Sequence, residues 1–283
     1  MMAALAAALL AIHVGAQPTG MAYGAGSLWT ANYGGGTVSR VDPVRRRVIK
    51  TIPVGTHPAA IAFSEGSVWV GDFGAAAVYR IDPASNMITA TIPLDSNVGG
   101  LARAGDGSVW ASEYDSGAVD RVDPSTNTVT QRTKVGGNAE AIAFAAGKTW
   151  VTNNGGYVTP VDRSGKAGRR IRVAHDVDAI FSTPRGLWVA TYDGGVLALI
   201  DRRRTKVVRR VPFQSQAGGI AYVGRKLYVS DYGAGRVLRL DPAGGRTLKR
   251  MRVGSEPRDL VAAAGALWVV EQGSSDVRRI SLP

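Results

Sequence analysis

The side chains in this chain that could do chemistry are carboxylates, one arginine set among them, and two histidines. Asp72, Glu113, Glu140, Asp178, Asp231, Asp259 and Glu271 offer oxygen donors, Arg258 offers a cation, and His57 and His175 stand on stretches close to these groups. Gathered carboxylates can hold a divalent cation such as Mg2+ or Ca2+, or the amine of a ligand. An arginine among them can meet a carboxylate or phosphate, and a histidine can act as a general base. The chain has no cysteine, which excludes disulfides, thiolate metal sites and cysteine nucleophiles. There is no phosphate loop, no calcium loop of alternating Asp, and no Ser-His-Asp set in recognisable context. Asp72 and Glu271 are separated by most of the 283 residues. Any joint chemistry therefore depends on the elements that bring such residues together.

Those elements are repeats. An aromatic residue recurs every 38 to 41 positions, as Trp29, Trp69, Trp110, Trp150, Trp188, Tyr228 and Trp268. In the second copy, His57-Pro58-Ala59-Ala60-Ile61-Ala62-Phe63 is followed by Gly66-Ser67-Val68-Trp69-Val70-Gly71-Asp72-Phe73-Gly74, then by Val78-Tyr79-Arg80-Ile81-Asp82-Pro83 and Met87-Ile88-Thr89-Ala90-Thr91-Ile92-Pro93-Leu94. Four short runs rich in β-branched and aromatic residues, punctuated by Gly, Asn and Asp-Pro turns, predict four strands per unit and no helix of useful length. Four strands in about 40 residues is the blade of a β-propeller.

The chain ends support a closed ring. The last copy stops at Arg279-Ile280-Ser281-Leu282-Pro283 after three strands, while Ile12-His13-Val14-Gly15-Ala16-Gln17-Pro18 matches the end of a fourth strand, as in Ile52-Pro53-Val54-Gly55-Thr56-His57-Pro58. The expectation is an all-β, seven-bladed propeller of four antiparallel strands per blade over residues 12–283, with the N-terminal strand completing the last blade. Closure removes the exposed edges of an open array.

The repeats resemble those of YVTN-type bacterial β-propellers, on the phrases Leu28-Trp29-Thr30-Ala31-Asn32, Val38-Ser39-Arg40-Val41-Asp42-Pro43 and Thr51-Ile52-Pro53-Val54-Gly55. They are also similar to the repeats of streptogramin B lyases and of NHL-type propellers. The resemblance covers residues 12 to 283 and implies the fold. For function it spans binding modules, scaffolds and enzymes. In the lyases a histidine and acidic residues work near a bound magnesium on one face, and their Trp-Phe-Thr-Glu phrase is echoed at Trp110-Ala111-Ser112-Glu113 and Trp268-Val269-Val270-Glu271. The resemblance thus makes His57, His175, Glu113 and Glu271 the catalytic candidates. No histidine of this chain is matched to the lyase motif, and no gluconolactonase-like metal set is assigned.

Alternating strands place the loop entering the first strand and the loop between the second and third on one face, the top. Thirteen of the 22 acids fall on those loops, together with the aromatics Tyr33, Phe73, Tyr114, Tyr192 and Tyr232. Most of the 34 Lys and Arg residues fall on the turns between third and fourth strands and on the outermost strands. Two readings of that rim remain: edge protection, and attraction of an anionic partner. Repeated Asp42, Asp82, Asp123, Asp162, Asp201 and Asp241 read as turn caps, and the repeated Trp as packing between blades.

The informative positions are those where copies diverge. Three residues after each Trp or Tyr stand Asn32, Asp72, Glu113, Asn153, Thr191, Asp231 and Glu271. At the start of the innermost strand, Thr19, Ala59 and Gly99 give way to Glu140, Asp178 and Arg258, and the next position is small except for Asp259. Asp72, Glu113, Glu140, Asp178, Asp231, Arg258, Asp259 and Glu271 are therefore the expected ligand-binding set at the channel mouth.

The leading reading is a non-catalytic binding or scaffold module, requiring no cofactor, whose acidic top face contacts a protein, a peptide or a small cationic ligand. A magnesium-dependent streptogramin B lyase-like or lactonase-like enzyme is the alternative, and nucleic-acid binding through the basic rim is a third. Met1 to Ala11 reads as a truncated export signal or as an N-terminal extension, too short to span a membrane. The first implies an extracellular or periplasmic monomer, the second leaves the cytoplasm open.

Overall fold

Each repeat folds as a hairpin series because its turns are chemically specified. In the computed structural model, which describes residues 11–193, 195–213 and 215–282, the second copy forms strands Pro58–Ser64, Ser67–Asp72, Ala77–Asp82 and Met87–Pro93. Glu65 and Gly66 join the first two with φ of 47° and 71°, the left-handed pair that a two-residue hairpin matched to strand twist requires. The next bottom turn is held by Asp82, whose carboxylate accepts the amides of Ala84 at 3.0 Å and Ser85 at 3.1 Å. These bonds keep the Asp82 carboxyl below its ordinary range.

Seven such four-stranded antiparallel sheets make up the molecule, and no helix among the described residues is long and apolar enough to cross a membrane. The second strand of each blade is buried from end to end in most copies, whereas the fourth is largely exposed. The core lies between neighbouring blades. Seven buried clusters are present among the described residues, each joining the Trp or Tyr of one blade to the branched residues of the next. Trp29, for example, packs with Val68, Val70 and Ile81 of the following copy. The indole N–H of Trp29 is satisfied within its own blade by the carbonyl of Gly24 at 3.1 Å. Burying one such side chain stabilises the ring by roughly 2–3 kcal/mol.

A second tie repeats beneath. Arg40 lies 4.8 Å over the Trp29 ring and donates to Pro83 O at 2.6 Å and Asn86 Oδ1 at 2.8 Å in the next blade. Arg80 does the same toward Pro124 and Asn127.

The ring closes as the chain ends predict. Strand Ala11–His13 pairs antiparallel with Asp276–Ser281 as the fourth strand of the last blade. The strand starts at Ala11, and residues 1–10, where the rest of the expected leader falls, lie outside the described residues. Blade 4 departs from the even pattern, because its outer strand is reduced to Ile171–Arg172. Asp162 there holds a longer turn through Ser164 and Lys166, so the chain reaches the sheet edge late.

Candidate functional site

Every innermost strand carries an irregularity at the same height. The pairing register shifts between Pro18 and Met21, Pro58 and Ala60, Val98 and Gly100, Ala139 and Ile142, Val177 and Ala179, Ala217 and Gly219, and Pro257 and Leu260. A β-bulge releases a residue from the ladder and re-aims its side chain. The released residues, among them Thr19, Ala59, Gly99, Glu140, Asp178, Gly218 and Arg258, line one cavity of about 480 Å³ at the top of the channel. Small residues are required where backbones crowd there. A Cβ on Gly218 would stand 2.4 Å from the carbonyl of Pro257, and one on Gly20 would stand 2.7 Å from that of Ala59.

The cavity has two unlike halves. Blades 1 to 3 present small bulge residues under a run of aromatic rings, with Tyr33 and Phe73 centroids 6.4 Å apart and Phe73 and Tyr114 centroids 5.5 Å apart. Blades 4, 5 and 7 present Glu140, Asp178 and Arg258. Glu140 keeps its proton and hydrogen-bonds to Asp178: burial first, then the charge of Asp178, pushes the Glu140 carboxyl up to about 9. Burial also raises Asp178, against the pull of Glu140 and Arg258. The pair therefore shares one proton at neutral pH.

Arg258 is held away from free solvent motion. Its Nε donates to Gln272 Oε1 at 2.9 Å, and its guanidinium lies 4.9 Å from the Tyr232 ring centroid and 5.8 Å from that of Tyr192. Hydroxyls of preceding blades pin the backbone of two of the three charged bulges. Ser230 Oγ donates to Arg258 O at 2.6 Å, and Ser112 Oγ donates to Glu140 O.

Asp259 lines the cavity with its oxygens already engaged. Its carboxylate accepts Met21 N at 2.8 Å and Leu260 N at 2.8 Å, which ties the last blade to the first. Burial pushes its carboxyl up to about 6, opposed by those two amides.

The other expected acids lie elsewhere. Asp72 is buried and accepts the amides of Thr56, Gly74 and Ala75, each at 2.7 Å. Asp231 accepts Arg236 Nε at 2.6 Å and Ala234 N at 3.2 Å, besides the Ser215 hydroxyl. Glu271 accepts Gly254 N at 2.7 Å and pairs with Arg278. Glu113 stands 3.1 Å from Arg132 Nε without the alignment of a hydrogen bond. Arg132 instead donates to both oxygens of Asp120, at 2.9 and 2.7 Å. Burial first, then the charge of Glu113, pushes the Asp120 carboxyl up, and the charge of Lys134 opposes that rise. None of these four acids lines the cavity; they fasten the top loops to their own blades.

Neither histidine candidate lines the cavity. His57 is exposed with its ring 4.8 Å from Tyr33, and His175 is exposed on the next-but-two entering loop. Among the described residues no group of three or more His, Asp or Glu side chains is placed to hold a metal ion. Glu140 and Asp178 stand in the cavity together with the Arg258 guanidinium.

Three contributors escape the sequence reading: Gln272, Ser112 and Ser230. Gln272 had a visible signal. It replaces the aromatic found at the same repeat position in Tyr33, Phe73, Tyr114, Tyr192 and Tyr232.

The backbone is shared with known structures. Virginiamycin B lyase from Staphylococcus aureus superposes with a TM-score of 0.84 at 16% identity, covering 94% of this chain and 95% of that one. A streptogramin B lyase structure gives 0.84 at 15% identity, covering 95% and 94%. Hydrazine synthase of Kuenenia stuttgartiensis gives 0.83 at 16% identity, covering 95% and 97%. No protein-family model and no curated protein matches the chain, so these likenesses establish the streptogramin B lyase-like seven-bladed fold and leave the chemistry to the site.

Proposed function

We propose that the channel mouth is a binding site for a small organic cation with an apolar or aromatic body. The observation that carries this reading is the proton-sharing pair of Glu140 and Asp178 facing an aromatic run across one cavity. The carboxyls supply an anion for the ammonium, and the faces of Tyr33, Phe73 and Tyr114 supply apolar area and cation–π attraction, worth about 0.5–2 kcal/mol. Arg258 bonds to Gln272 and lies over two tyrosines, while its charge still acts on the carboxyl pair from the side. Calorimetric titration with an arylalkyl amine and its neutral isostere tests this. The amine is expected to bind at least tenfold tighter, and the double variant Glu140→Gln, Asp178→Asn to erase that preference; equal affinities would overturn the reading.

A second reading, a lyase of the streptogramin B type, is favoured by the fold likeness and by the same carboxyl pair, which can hold one proton and accept another. In that reading Asp178 takes a proton from carbon while Glu140 returns one to the leaving group, and His57 and His175 have no part. Incubation with quinupristin, present in a virginiamycin B lyase structure that matches this chain at 15% identity, tests it by mass spectrometry. Turnover lost in Asp178→Asn would support the lyase, and an unchanged substrate would exclude it.

A further inference from the structure

The formal charge of +12 is not spread over the ring. Stretches 162–172, 201–212 and 241–252 hold fifteen Lys and Arg against three Asp, leaving nineteen of each sign in the rest of the chain. These three stretches carry a net +12 between them, while the matching stretch 42–53 of blade 1 holds four Lys and Arg against one Asp. The fold makes them neighbours, since each is the turn and outermost strand of blade 4, 5 or 6, the last two strands being Lys206–Pro212 and Thr247–Arg252. The same strand of blade 2 carries no Lys or Arg, and that of blade 3 carries Arg132 and Lys134.

Fourteen of the fifteen cations are exposed. The three aspartates are committed to turn amides, as Asp201 is to Arg203 N and Arg204 N. Among the described residues, Arg203, Arg209, Arg246, Lys249, Arg250 and Arg252 show neither an ion pair nor a side-chain hydrogen bond. Edge protection needs a charge or two per strand, and blade 3 manages with two and blade 2 with none. Setting fifteen cations on three neighbouring blades costs self-repulsion that a neutralising partner would remove.

We propose that the outer wall of blades 4 to 6 docks a nucleic-acid duplex through its phosphates. Twelve of the fifteen cations are arginine, whose planar fork matches phosphate oxygens. The stretches contain no Phe, Tyr or Trp, so bases have nothing to stack on, and a single strand is disfavoured relative to a paired backbone. The cations run up the outer strands as well as along the bottom turns, on a convex wall. Binding held by phosphates alone is independent of sequence.

The test uses fluorescence anisotropy with two unrelated DNA duplexes of about 20 base pairs across a salt series. The parent should bind both equally, with affinity falling steeply as salt rises. The triple variant Arg209→Ala, Lys249→Ala, Arg250→Ala should lose at least about tenfold at low salt and reduce the salt slope by about three. A control triple of equal charge on blade 1, Arg45→Ala, Arg47→Ala, Lys50→Ala, should lose less than about threefold. All six positions are exposed, and circular dichroism checks that both variants fold. Equal losses in the two triples would overturn the proposal, as would binding of phosphatidylglycerol vesicles that duplex does not displace.

Discussion

Gln272 accepts the Arg258 Nε hydrogen bond at 2.9 Å and so holds the guanidinium over Tyr232, beside the acidic pair rather than upon it. Replacing Arg258 by Gln removes a positive charge from the ligand's surroundings and should tighten amine binding by about 1 kcal/mol, roughly fivefold. Gln272→Ala frees the guanidinium to turn toward Glu140 and Asp178, and should weaken it. Calorimetric titration of both variants reads the two opposite signs.

Binding of an ammonium to the pair expels its shared proton. Because Glu140 is raised to about 9 and an alkyl amine stays charged to about pH 10, affinity should climb by up to about tenfold per pH unit between roughly pH 6 and 9. Glu140→Gln should flatten that slope. Titrations in buffers of different ionisation heat would count the released proton directly.

Asp259 makes folding stability pH-dependent in the direction opposite to an ordinary ion-paired carboxylate. Its folded value is raised from 3.8 to about 6, so the folded chain keeps a proton that the unfolded chain has given up. Stability is then lost as pH rises through that window, by on the order of 3 kcal/mol. Asp259→Asn never acquires the charge. Its denaturation midpoint should trail the parent at pH 4 and gain on it by pH 7.

Arg132 lies among three carboxyls, Asp95, Glu113 and Asp120, of which the last two are fully buried. Arg132→Ala would strand two buried acids and should cost about 3–5 kcal/mol. Adding Asp120→Asn should recover part of the loss. Urea denaturation of the single and double variants measures both steps.

The fold was legible because repetition multiplies weak signals. One Trp predicts little, but seven aromatics at one spacing fix blade number, strand order and the closing role of Ile12 and His13. Glu140, Asp178 and Arg258 were legible for the same reason, as departures at a position that is otherwise small. Asp72, Asp231 and Glu271 also stand out in the repeat, yet they fasten loops. Their partners, such as Thr56 N and Gly254 N, are backbone groups some 16 residues away that no residue type announces. Glu113 was opaque in another way: its surroundings are set by Arg132 on the outer strand, so a top-face acid and a rim cation belong to one cluster.

The common bulge has a consequence for how such a molecule can change over generations. It detaches one or two residues per blade from the hydrogen-bonded ladder, so where the neighbouring backbone leaves room, as at Glu140, Asp178 and Arg258, a mutation alters what the opening recognises while the ladder itself is kept. Glu140, Asp178 and Arg258 can thus be rewritten singly without disturbing strand pairing, whereas Gly99 and Gly218 cannot, because a Cβ there would meet the next blade's backbone.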